Sequence, residues 1–250
     1  MISLRNFNTL GSLILLAAMA QVCRAQAPLQ RIRDANAHQW WIYIGDHPIR
    51  GPWGFYTEAQ VRRADFGTQW QQLLLREAVT YRFSPGVQVA GGYGSIRSAR
   101  YGDFPSAQPA FEHRAWEQLT VRNDVKPLEL EHRYRVEQRW LQNFNASGDY
   151  SWRYQNRFRY QFKANLPVGP RWYLTGGDEL FIHFGGNHGA SLFDQNRAFA
   201  GMGYKVSARN RLEVTYMNQF IVQRNGRVEE SNHTMRLQWS STTPLKQLFR

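Results

Sequence analysis

Glu129, Glu131, Arg133, Arg135, Glu137 and Arg139 occupy every second position of one stretch. Glu112, Arg114 and Arg122 repeat that spacing before it, and Arg153, Arg157 and Arg159 repeat it afterwards. Carboxylates and guanidinium groups in facing rows about 4.8 Å apart can pair in bidentate geometry, which lysine cannot do as well. Arginine left over after such pairing would attract anions. We therefore expect an ionic network in which Arg133 and Arg135 lie among Glu112, Glu129, Glu131 and Glu137, with Arg197 held by nearby acids. Nucleophilic chemistry has one weaker candidate, His188 with Ser191 and Asn196. His and Ser are three apart in a Gly-rich stretch, which breaks the same-face geometry that two-residue spacing on a strand provides. Asp178, Glu179, Asp194 and His233 include metal-ligating types, but nothing in their spacing demands a metal, and no cofactor is expected.

The alternation that carries these charges also defines the element. A strand sends successive side chains to opposite faces. Opposite the charged row stand Leu128, Leu130, His132, Tyr134, Val136, Gln138 and Trp140. About eleven segments show this pattern, near 39–45, 53–63, 70–83, 87–97, 111–123, 128–141, 151–166, 172–184, 194–206, 211–223 and 232–241. Globular strands have a mode near 5–6 residues, whereas tilted strands that span a bilayer need about 9–11. Tight connections at 84–86, 123–127, 167–171 and 207–210 alternate with longer ones at 98–110, 142–150, 185–193 and 224–231. Short turns on one rim and longer loops on the other predict an antiparallel, up-and-down transmembrane β-barrel. Even strand counts are the rule for single-chain bacterial barrels, so twelve strands are expected, with ten as the fallback.

The apolar parities, such as Val79, Tyr81 and Phe83, or Leu212, Val214 and Tyr216, are assigned to lipid. Trp40, Trp41, Trp53, Trp70, Trp140, Trp152, Trp172 and Trp239 fall near strand ends, where interfacial girdles place such rings. Gly91-Gly92-Tyr93-Gly94 reads as a bend or bulge in its strand. The competing architecture is a soluble β-sandwich, whose strands should be shorter.

Residues 1–25 read as a cleaved signal peptide: Arg5, an apolar run from Leu10 to Ala20, and small residues ending at Ala25. The remainder divides into an N-terminal segment, 26–38, a barrel, 39–241, and a tail, 242–250. Cys23 is the one cysteine, so cleavage leaves no thiol and no disulfide. Losing Arg5 and Arg24 takes the net charge from +12 to +10. Such a balance suits nucleic acid, but a signal sequence and arginines dispersed along strands argue against that partner. No stretch after the signal is apolar enough for a membrane helix, so a membrane protein here must be a barrel.

Glu112-His113-Arg114 with Trp116 to Leu119, then Glu131 to Arg139, resemble a doubled E-H-R…E-Q-R pattern. Asp178-Glu179, Phe193 to Arg197, Gly201 to Tyr204, Tyr216 to Phe220 and Asn232-His233 follow in order. Together they resemble the bacterial outer-membrane family catalogued as domain of unknown function 2490, over residues 37–241. The resemblance implies a signal-bearing outer-membrane barrel and supplies no activity. It departs at the end, where Thr242-Thr243-Pro244 closes the last strand and Arg250 follows Phe249, so no aromatic residue is terminal.

The expectation is an integral protein of the cell outer membrane with an Arg/Glu-filled lumen and an envelope role. It would contact outer-membrane lipids, lipopolysaccharide and the barrel-assembly machinery, and it would not be an enzyme. A small anion-permeable channel is the alternative, and a lipid acyl hydrolase a more distant one.

Overall fold

The computed structural model describes residues 32–103, 108–145 and 147–248. The expected signal, 1–25, and Phe249 lie outside these residues. The fold is all-β. After β1 (Ile32–Asp34) come β2 (Ala37–Arg50), β3 (Trp53–Ala64), β4 (Gln69–Ser84), β5 (Val87–Ser98) and β6 (Ala110–Val125). They continue as β7 (Leu128–Phe144), β8 (Tyr150–Pro167), β9 (Trp172–Phe184), β10 (Phe193–Lys205), β11 (Asn210–Val222) and β12 (Val228–Ser241). A short helix, Leu245–Leu248, follows. Among the described residues no helix is long and apolar enough to cross a membrane.

From β2 to β12 each strand pairs antiparallel with the next, and the sheet closes where β12 meets β2. That seam is parallel, from His233 beside Ala37 to Ser241 beside Gly45. Among the described residues there are twelve strands, but only eleven form the ring. β1 also lies along β12, with Ile32 beside Val228, and Asn36 O accepts from His233 N at 2.8 Å. β1 and β2 are thus one track along β12, interrupted at Ala35 and Asn36. The even-count rule presumes an antiparallel closure. Eleven crossings make the first and last ring strands run the same way, so only a parallel seam can close them.

Followed from Tyr173 through β10, β11 and β12, across the seam and on to β8, the paired positions return at Arg153. Tyr173 itself faces Pro167 on β8. The strands are therefore strongly tilted, as closure requires. Connections at 51–52, 85–86, 126–127, 168–171 and 206–209 share one rim, here the turn rim. Those at 65–68, 99–109, 145–149, 185–192 and 223–227 share the other, the loop rim.

Exposed outward residues include Leu73, Leu75, Val79, Leu119, Tyr134, Met202, Val214, Tyr216, Met235 and Leu237, which form the apolar band. Aromatic pairs edge it on both sides. Trp53 meets Tyr81 at 4.9 Å and Trp172 meets Tyr204 at 4.7 Å near the turns, while Trp140 meets Tyr154 at 5.3 Å near the loops. Trp40 departs from its expected place in this girdle. It is 2% exposed and fills the lumen, because adjacent residues on a strand cannot share a face and Trp41 takes the outer one. No bulge occurs at 91–94, where β4 and β5 stay in register. A Cβ on Gly92 would lie 2.0 Å from Glu77 O, so this glycine serves close strand approach.

Candidate functional site

The lumen is where the charged parities meet. Glu137 sits at its centre, 0% exposed, with Arg157 and Arg159 at 2.5 and 2.6 Å and Arg76 and Arg114 each at 3.6 Å. Four guanidinium groups from β4, β6 and β8 thus converge on one carboxylate of β7. Glu179 of β9 accepts from Arg133 at 2.8 Å and Arg159 at 2.6 Å, with Arg197 at 3.8 Å. Glu112 binds Arg114 and Arg139, both at 2.5 Å, and Glu58 binds Arg76 at 3.0 Å. Asp194 joins through Arg157 at 2.6 Å, with His183 at 3.5 Å. Charges this deeply buried are costly unless they are paired or hydrogen-bonded.

Three sequence candidates lie nearer the turn rim. Arg122 pairs with Glu131 at 2.8 Å, and Glu129 has Lys205 and Arg211 each at 3.7 Å. These groups are partly solvated and contribute less. Among the described residues Arg135 makes no salt bridge to the expected carboxylates; it is held by other groups. Its direct neighbours across the sheet are Gln118 and Arg159. It donates to Gln118 Oε1 at 2.6 and 2.9 Å, and its guanidinium lies 4.4 Å from the Trp116 ring centre. Arg133 meets Glu179 of β9, which is not one of the expected acids. Arg153 donates to the backbone oxygen of Asn187 at 3.4 Å.

Sequence reasoning missed Glu58, Arg62, Arg76, Glu213 and Arg236. Their strands alternate more weakly, and Gln60 and Leu74 interrupt the charge rows. Glu213 holds Lys163 at 2.7 Å and Tyr173 Oη at 2.8 Å. The ring of Tyr173 occupies space that a Cβ on Gly203 would take. At the loop rim Tyr101 donates to Glu230 at 3.2 Å, and burial, then that carboxylate, pushes its phenol above the ordinary range.

The hydrolase and metal candidates are not assembled. His188 and Ser191 line a cavity of about 140 Å³ near the loop rim. Asn196 faces outward and donates to Asp178 at 2.8 Å. His233 is also outside, with Tyr216 Oη at 2.6 Å, whereas Glu179 and Asp194 face the lumen. No metal-binding group of three or more ligands occurs among the described residues.

Three spaces follow one another along the lumen. A cavity of about 520 Å³ near the turns is lined by Arg82, Arg122, Arg133 and Arg211, and one of about 340 Å³ near the loops by Arg62, Arg139 and Arg197. Between them is a gap of about 100 Å³ among Glu58, Arg76, Arg159 and Glu179.

A closed β-barrel with an apolar outer band and an ion-paired interior is the class this geometry defines. Its sequence matches the family described as "Protein of unknown function (DUF2490)" over residues 37–230, and the chain belongs to that family. It is 24% identical over 213 residues to an uncharacterized protein of Methylorubrum extorquens strain AM1, covering 82% of this chain and 87% of that protein. The solved structure of the NanC porin in its rhombohedral crystal form aligns at a TM-score of 0.47 and 13% identity. That alignment covers 74% of this chain and 84% of the porin chain.

Proposed function

We propose that this protein is an integral outer-membrane β-barrel with an envelope role, exported by its first 25 residues and closed at mid-height by its own side chains. The observation that carries this reading is the pairing of two faces. Long tilted strands turn an aromatic-edged apolar band outward and bring Glu137, with its four arginines, to the centre of the lumen. Water-soluble barrels have no use for such a band, and a wide channel would not cross its middle with ion pairs. The partners this surface suits are outer-membrane lipids, lipopolysaccharide and the assembly machinery. Nucleic acid is not among them, because the mid-barrel arginines, such as Arg76, Arg114, Arg157 and Arg159, face inward. The reading assigns no catalysis.

Membrane fractionation combined with planar-bilayer recording tests it. The protein is expected in the outer-membrane fraction, and the refolded barrel is expected to be electrically silent. Recovery in aqueous buffer would overturn the membrane reading. A second reading, an anion-permeable channel, is favoured by the excess of arginine over acid, and steady anion-selective current steps would establish it instead.

A further inference from the structure

Four buried or half-buried lumen arginines, Arg62, Arg135, Arg153 and Arg236, make no salt bridge to a described carboxylate and are held by neutral oxygens. Three of them also lie over rings: Arg62 over Trp40, Arg135 over Trp116 and Arg236 over Phe199. Arg62 is the clearest case. Its Nε and Nη2 donate to Gln60 Oε1 at 2.8 and 2.6 Å, and its Nη1 to Gln72 Oε1 at 2.6 Å. Arg197 approaches the same indole, 5.1 Å from its centre against 3.8 Å for Arg62. With Gln219 turned to satisfy both groups, its Oε1 accepts from Arg197 Nε and Nη2 at 3.2 and 3.1 Å. Two like charges thus approach one ring in a poorly solvated space: Arg62 is cradled by amides that cannot neutralise it, and Arg197 by the Gln219 amide with Glu179 at 3.8 Å.

Both side chains line the loop-side cavity of about 340 Å³. Seven arginines border that cavity, against Glu112, Asp194 and Glu230. Two of these acids are already engaged within the lumen network, Glu112 by Arg114 and Arg139 and Asp194 by Arg157. Glu230 bonds Tyr101, Asn232 and Gln223 rather than an arginine. Each guanidinium has five N–H donors. Arg62 spends three on amides, which leaves donors in the fork geometry that matches carboxylate and phosphate.

We propose that this vestibule is a binding site for a small solute bearing an oxyanion, carboxylate or phosphate, held by Arg62 and Arg197 beside Trp40. The volume admits a solute of about monosaccharide size. Behind it the lumen narrows to the gap of about 100 Å³ among Glu58, Arg76, Arg159 and Glu179, so the site is assigned to binding and not to conduction. This inference rests on the barrel of the proposed function but not on its address in the outer membrane.

The test uses refolded full-length protein in detergent, with the closed barrel verified first by boiling-dependent gel migration. Sodium glucuronate and inorganic phosphate are titrated by calorimetry at constant ionic strength in chloride, with glucose as the uncharged control. Saturable binding of either anion is expected, and none of glucose. Phosphate alone would identify the oxyanion as sufficient, whereas glucuronate binding more tightly would show that the carrier is also read. Gln72→Glu places an internal carboxylate against Arg62, and Arg62→Gln removes the charge. Each is expected to weaken binding about tenfold or more, equivalent to roughly 1.4 kcal/mol, while Gln72→Glu is at least as heat-resistant as the parent. Absence of saturable binding of both anions to the parent, or binding that Gln72→Glu leaves unchanged, overturns the proposal. Should one variant fail the migration check, the other decides. Failure of the parent at that check would count against the barrel itself.

Discussion

Glu137 and Glu129 are two glutamates of the same strand and the same face, yet they should respond very differently to the same change. Glu137 is fully buried and draws four arginines, so Glu137→Gln strands several positive charges without a counter-ion. Breaking a buried pair in this way costs about 3–5 kcal/mol. Glu129, near the rim with partners at 3.7 Å, should cost less than about 1 kcal/mol when replaced by Gln. The midpoint of urea unfolding, followed by gel migration, should separate the two variants; equal midpoints would mean that the central network contributes little. Arg135 gives a third outcome. Its partners are an amide and an indole. Arg135→Met should therefore be neutral or stabilising, since replacing a buried charge by an apolar side chain that fills its space avoids desolvation. A loss comparable to that of Glu137→Gln would show that Arg135 balances distant acids through the lumen.

At the scale of the strand, parity was legible and register was not. Alternation in the sequence assigns Arg133, Arg135 and Glu137 to one face and Tyr134 to the other, and the pairing of β7 with β6 and β8 agrees. Nothing in a single strand tells which residue of its neighbour it will face, because the shift from strand to strand comes from turn geometry and barrel tilt. Glu112 reaching Arg139, Arg133 reaching Glu179 on β9, and Arg135 meeting Gln118 all depend on that shift. Trp40 shows the same limit differently. Both tryptophans of the pair at 40–41 suit a girdle by composition, and only the pleat excludes one. Labelling tests the faces: a cysteine at position 134 should react with lipid-soluble reagents only, and one at 135 with small water-soluble ones if at all. Tyr134→Arg should cost roughly 2–4 kcal/mol if its position is near the membrane midplane. Reversed accessibility would mean the barrel is inside out and the lipid band misassigned.

For the molecule as a whole, closure removes the sheet edge that detergent would otherwise open. The unboiled protein should therefore migrate differently from the boiled protein on a gel, and a single band indifferent to boiling would argue for an open sheet. The two rims should also differ in sealed cells. Protease added outside is expected to cut within 99–109, 145–149 or 185–192 and to spare the turn at 85–86. Cleavage of both sets would contradict the topology. The parallel seam has its own consequence. Most ring-shaped proteins whose ends lie close together can be rewired, with old ends joined by a short linker and new ones opened elsewhere. Here β2 starts at the loop rim and β12 finishes at the turn rim, so a joining linker would have to thread the occupied lumen or leave the barrel and cross the apolar band outside. Circular permutants with a short flexible linker should fail to close, whereas cutting the chain at 145–149 and co-expressing the two halves should restore the barrel.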